Sequence, residues 1–189
     1  MIEVQPSERM RDLGVVQCGA PILNEPARAF ELPAEREAAE DVVDRLFAAM
    51  EQISQIHLFA KGMGVAAPQI GIGRAAAVVQ PPTPDAPAIV LLNPRIIARG
   101  PESDEQYEGC LSFFDVRGLV PRPLTVTVEA TVLDGSTVTT VYERGLARLI
   151  QHEIDHLDGL LYTSRMRPGV APLPVEEYRQ TGHAWAYER

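Results

Sequence analysis

An α+β domain built on antiparallel strands is the fold class that this sequence predicts. Three observations lead there. Two segments carry helical periodicity, 35–58 and 144–157. Between them lie short apolar runs rich in β-branched residues. One of these runs turns back through Asp-Gly into the next, which signals a hairpin rather than a parallel crossover. The 189 residues are 46% hydrophobic and 23% charged, enough for one domain over residues 1–189 with a core of its own.

The first helix is expected over 35–58 because Val42, Leu46, Met50, Ile53 and Phe59 recur near the helical period. Acidic residues crowd its first turns, where the helix dipole favours them. "AAAVVQ" (75–80) and "AIVLLN" (88–93) are expected strands, and "PPTPDAP" between them is a loop because proline lacks the ladder donor. "LTVTVEATVLDG" (124–135) alternates apolar and polar residues and is expected to pair with "STVTTVYE" (136–143). The second helix, 144–157, stops near Gly159. Prolines at 168, 172 and 174 predict an irregular tail from about 167, with a short helix near 175–185.

The net charge of −9 argues against nucleic acid as a partner, since phosphate binding needs a basic surface. No apolar run approaches the ~18 residues of a membrane span. The first 25 residues lack a signal-peptide layout, so the expected location is the cytoplasm. In that compartment Cys18 and Cys110 are not expected to pair. Each is a small buried residue or a thiolate with a task.

The second helix contains "QHEIDHLDG" (151–159), in a chain with four histidines. At 100° per residue, Leu146, Leu149, Ile150, Ile154 and Leu157 form an apolar stripe, and Arg148, Gln151 and Asp155 fall on the far side. His152 and His156 sit one turn apart at the stripe's edge. Glu153 falls within the stripe, where a carboxylate is costly unless a cation or hydrogen bond meets it. Two histidines at this spacing can point at one ion with the glutamate as base; the bland alternative is a solvated polar face. A third ligand could be a cysteine, a histidine or a carboxylate. Cys110, in "YEGCLSFF", is one candidate, and its plain reading is a buried small residue. The segment "KGMGVAAPQIGIG" (61–73) is neither a dinucleotide fingerprint nor a P-loop; alone it is only a tight loop.

Taken together, "GMGVAAPQ" (62–69), "EGCLS" (108–112) and "QHEIDHLDG" (151–159) resemble peptide deformylase, in the family's order and over most of the chain, from about residue 15 to 166. The resemblance implies antiparallel sheets packed around a central helix that carries HExxH. It implies Cys110, His152 and His156 as metal ligands, Glu153 as the catalytic carboxylate, and Gln69 with the Leu111 N–H as oxyanion donors. The metal implied is Fe²⁺, with Zn²⁺, Ni²⁺ or Co²⁺ as substitutes. The implied partners are N-formyl-methionyl peptides emerging at the ribosome. Gly64 and Gly109 would pair with the peptide backbone, and Met63, Leu146 and Leu149 would line the methionine pocket. Glu108 and Arg122 match a carboxylate–arginine pair, and Arg117 is a candidate grip on the peptide; surface solvation is the alternative for both arginines. Asp155 is considered as an orienting partner for the imidazoles, although it projects from the other side of its helix.

Many relatives continue "EGCLS" with Val-Pro or Ile-Pro, where this chain has Phe113-Phe114. That bulk, beside the implied groove, keeps open a deformylase-like paralogue acting on another N-acyl peptide or metabolite. A general zinc protease and a non-catalytic metal binder are further readings, opposed by "GMGVAAPQ" and by the intact Glu153 and Gln69.

Overall fold

The computed structural model describes residues 5–181 except 58, 60 and 84. It is an α+β structure with three three-stranded antiparallel sheets. Helix α1 (Pro6–Asp12) is followed by α2 (Arg36–Ile56), and then by β1 (Met63–Ala66), β2 (Ala76–Gln80) and β3 (Ile89–Leu92), which form one sheet in that order. Strands β4 (Arg95–Arg99), β7 (Thr125–Thr131) and β8 (Thr137–Glu143) form the second. Strands β5 (Ser103–Cys110), β6 (Phe113–Pro123) and β9 (Leu173–Pro174) form the third. Helix α3 (Arg144–Leu157) follows β8, and α4 (Val175–Gln180) ends the described chain.

Helix α2 starts one residue later than expected, with Glu35 as its N-cap, and ends at Ile56; Leu58 lies outside the described residues. Ala39, Val42, Leu46, Met50 and Ile53 are its buried stripe. They pack with Met63, Val65, Val78 and Leu92 of the first sheet. The β7–β8 hairpin forms as expected, with Thr131 opposite Thr137. Asp134 Oδ1 accepts from the Ser136 N–H at 2.8 Å, and Gly135 takes a φ of +89° that closes the turn without a Cβ penalty.

Helix α1 and strand β4 were not expected, and four further features differ from the expectation. The segment expected to be a plain loop, 61–73, contains strand β1 and a 3-10 turn, Ala67–Ile70. A four-residue strand is too short for its alternation to show in sequence. Strands β5 and β6 escaped notice because polar residues intersperse both of them. The tail is more regular than expected. Leu173–Pro174 pairs with Val116–Arg117 of β6, and α4 follows. Residues 182–185 of the expected tail helix lie outside the described residues.

The fourth difference is α3. It packs against β1, β2, β6, β7 and β8, and it is buried on both faces: Arg148, Gln151 and Asp155, assigned to the far side, are 4%, 3% and 3% exposed. The helical wheel separated apolar from polar residues correctly. It could not show that the polar face would meet a second layer of structure.

Candidate metal centre and catalytic site

Strand β5 and helix α3 bring the site together by their periods. In a strand, residues two apart face the same way, so Glu108 and Cys110 both point inward while Gly109 faces out. The β5–β6 register shifts between Glu108 and Cys110. Such a bulge re-aims the side chains beside it. On α3, His152 and His156 lie one turn apart, with ring centroids 5.0 Å from each other.

Cys110 Sγ lies 3.2 Å from His156 Nε2. The ligand-capable atoms of Cys110, His152 and His156 all fall within 4.8 Å of one another, and all three residues are buried. His152 Nδ1 lies 3.0 Å from Glu108 Oε2, which leaves its other nitrogen for the cluster. Burial would push the Cys110 thiol up, but the adjacent His156 and His152 hold it well below the usual range. Burial works against a charged His152 as well, yet Cys110 and Glu108 raise its affinity for a proton. A thiolate with two imidazoles is a borderline-soft donor set and fits a divalent transition ion.

Glu153 is 2% exposed, and its buried Oε2 has no hydrogen-bond partner among the described residues. Burial raises its pKa, partly countered by His152 and His156. Gly64 of β1 lies directly against it. Gln69, on the 3-10 turn, is 1% exposed. Its Oε1 accepts from the Ala66 N–H at 2.9 Å, while its Nε2 donates to Ser112 Oγ at 3.2 Å and faces Cys110 Sγ at 3.5 Å.

Behind the cluster lies a buried ionic network. Arg122 donates to Glu108 at 2.7 and 2.9 Å and to Asp155 Oδ2 at 2.7 Å. Arg148 donates to Glu108 Oε1 and Asp104 Oδ1, both at 2.7 Å. Arg165 donates to Asp155 Oδ1 at 2.7 Å. Arg122 is 3% exposed, so its solvated alternative is excluded. In front of the cluster opens a cavity of about 310 Å³, whose walls include Met63, Gly64, Gln69, Leu149, His152 and Glu153.

The polypeptide deformylase profile matches residues 13–171. The chain belongs to the polypeptide deformylase family. It is 41% identical over 153 residues to the peptide deformylase of Acidobacterium capsulatum, covering 77% of this chain and 85% of that one. Among solved structures it is similar to Arabidopsis thaliana peptide deformylase 1B, with a TM-score of 0.72 and 30% identity over 88% of this chain and 86% of the other. It is also similar to the class I type b peptide deformylase of Acinetobacter baumannii bound to Met-Ala-Ser, with a TM-score of 0.68, 35% identity and coverage of 80% and 96%.

Around this deformylase cavity, most residues singled out from the sequence come together. Cys110, His152, Glu153, Gln69, Leu111, Gly64, Met63, Gly109, Glu108 and Arg117 all line it. His156 is 1% exposed behind them, against Cys110. Leu146 is a correction: it packs with the core formed by β2, β3, β7 and α3, whereas Leu149, expected beside it, does line the cavity. The Phe113-Phe114 pair divides. Phe114 lines the cavity, while Phe113 packs toward Tyr162, with ring centroids 6.3 Å apart. Asp155 serves Arg122 and Arg165, and Glu108 is the carboxylate that touches an imidazole.

Sequence reasoning missed His57, Phe59, Lys61, Arg148 and Tyr178, which also line the deformylase cavity. His57, Phe59 and Phe114 form an aromatic cluster with centroids 4.5 to 6.3 Å apart. Tyr178 of α4 meets Tyr107 of β5 at 5.2 Å; it lies beyond the family match, and no motif marks it. The one signal available was the rarity of lysine.

Proposed function

We propose that Cys110, His152 and His156 hold the metal ion of this peptide deformylase, with Glu153 as its proton-transfer group. The chain is a hydrolase of protein biosynthesis that removes the N-formyl group from nascent polypeptides. The observation that carries the site assignment is the convergence of a strand-borne thiol with two helix-borne imidazoles beside a buried carboxylate.

An ion held there supplies Lewis acidity toward water and the formyl carbonyl. Glu153 takes the proton from the attacking water; its raised pKa brings it closer to the working pH, where a base can also return a proton. The proton passes to the departing amine, and formate and the free N-terminus leave. Charge gathers on the former carbonyl oxygen, where the Gln69 Nε2 amide and the Leu111 N–H are the assigned donors. Met63 and Leu149 supply apolar wall for the methionine side chain. Gly64 and Gly109 let the peptide backbone approach, with Arg117 beside it.

We assign Fe²⁺ as the native ion, with Zn²⁺, Ni²⁺ or Co²⁺ as substitutes, a cytoplasmic location for the whole chain as one deformylase domain, and substrate capture as chains leave the ribosome. No helix among the described residues is long and apolar enough to cross a membrane. The test is formate release from formyl-Met-Ala-Ser by anaerobically purified protein, with elemental analysis. Glu153→Ala should retain the ion and lose turnover. An iron-loaded wild-type protein that releases no formate would overturn the reading.

A further inference from the structure

Tyr178 is half-buried and lines the deformylase cavity. It belongs to α4, which lies beyond the matched residues 13–171, so the family likeness gives it no task. The sequence explains how it arrives there. In "LPVEEYRQ" (173–180) Val175 and Tyr178 are three residues apart and share one face of a helix. Val175 is buried, while Glu176, Glu177, Arg179 and Gln180 are exposed. Val175 anchors α4, and the next turn sets Tyr178 at the cavity.

The strand before the helix fixes that anchor. Leu173 pairs with Arg117, and Pro174 with Val116. Proline lacks a ladder donor, and β9 is the edge of its sheet, where that is tolerated. Arg117 is itself held in place. It donates to the carbonyl oxygens of Phe114 and Val116, both at 2.8 Å, and its guanidinium carbon lies 4.9 Å from the Phe114 ring centroid. A Cβ on Gly109 would stand 2.6 Å from that carbon, so the glycine leaves room for it. On its other side, the tail meets β5, where Tyr178 lies 5.2 Å from Tyr107. The segment 173–180 is therefore a strap across β5 and β6.

Burial sorts the cavity wall by depth. Gln69, Cys110 and Glu153 are buried and mark the reacting end, whereas Arg117 and Tyr178 are half-buried. A peptide with its formyl group at Glu153 and its methionine on Met63 and Leu149 leaves along the less buried wall. We propose that Tyr178 is a substrate-binding residue whose ring packs against the peptide beyond its formyl-methionine. A tyrosine ring offers a large, rigid apolar face with a polar tip, which suits the varied residues that follow the methionine. This rests on the deformylase reading of the site.

The test compares kcat/KM for formyl-Met-Leu-Leu-amide and formyl-Met-amide, taken as a ratio on one enzyme. The wild-type enzyme should favour the longer substrate. Tyr178→Ala should lower the ratio by about fivefold, the scale of a partly buried apolar side chain, chiefly through KM for the longer substrate. Tyr178→Phe keeps the ring and should leave the ratio within about twofold of wild type. Tyr178→Leu keeps apolar packing on Tyr107 and serves where the alanine variant is too unstable to assay; its ratio should fall as well. Because each ratio is internal to one enzyme, partial loss of folded protein cancels. A role confined to holding the fold would lower turnover of both substrates alike. A ratio unchanged in the variants that lack the ring, with formate still released, overturns the role of Tyr178. Failure of the wild-type enzyme on both substrates overturns the deformylase reading itself, and this inference with it.

Discussion

Gly64 approaches Glu153 so closely that a Cβ at position 64 would stand 2.2 Å from its Oε1. Burial and this glycine surface confine the carboxyl group next to the Cys110–histidine cluster. The glycine in "GMGVAAPQ" therefore has a physical role that the motif alone did not disclose: it makes room for the Glu153 carboxyl group, to which we assign the proton transfer.

Gly64→Ala should accordingly displace Glu153. A misplacement of about 1 Å can cost about 10²-fold in rate. We expect kcat in formate release to fall by about that factor while bound metal is retained. A variant with wild-type kcat would show that the carboxyl group has slack the structure does not suggest.

Gln69→Ala removes one assigned oxyanion donor and should lower kcat by about 10²- to 10³-fold. The Ala66 N–H also loses its acceptor, so a thermal melt belongs beside the kinetics. If KM alone changes, Gln69 binds substrate without stabilising the transition state.

Glu108→Ala tests the network behind the metal site. Glu108 touches His152, Arg122 and Arg148. Loss of such an orienting carboxylate typically weakens metal binding by about 10- to 100-fold. Breaking a buried ion pair by deleting one partner costs about 3–5 kcal/mol. Competition with a chelator and a urea melt should show both effects, and a variant matching wild type in each would remove Glu108 from the positioning role.

The same carboxyl group predicts how stability depends on pH. Burial pushes Glu108 up, but Arg122 and His152 more than offset it and hold it far below its ordinary value of 4.5. A folded pKa below the unfolded one contributes stability that is present above about pH 4.5 and lost as pH falls toward the folded value. The urea midpoint should therefore drop as the buffer is taken below pH 4.5, with a shallower drop in Glu108→Gln. Equal slopes in the two proteins would exclude Glu108 as the source.

The sequence by itself determined the local objects: the buried stripe of α2, the β7–β8 turn at Asp134-Gly135, and His152 and His156 on one side of α3. These depend on periods of two and 3.6 residues and on turn chemistry, which neighbouring residues carry. Tertiary structure decided everything that required distant segments to meet. It placed Cys110 beside His156, 46 positions on, and closed Arg122 over Glu108 and Asp155. It kept Leu149 at the cavity wall, drew Leu146 to the core, and brought Tyr178 and Lys61 into the lining. The surroundings of the polar side of α3 were not legible, because periodicity reports only which residues share a face. What covers that face is set by strands arriving from elsewhere in the chain.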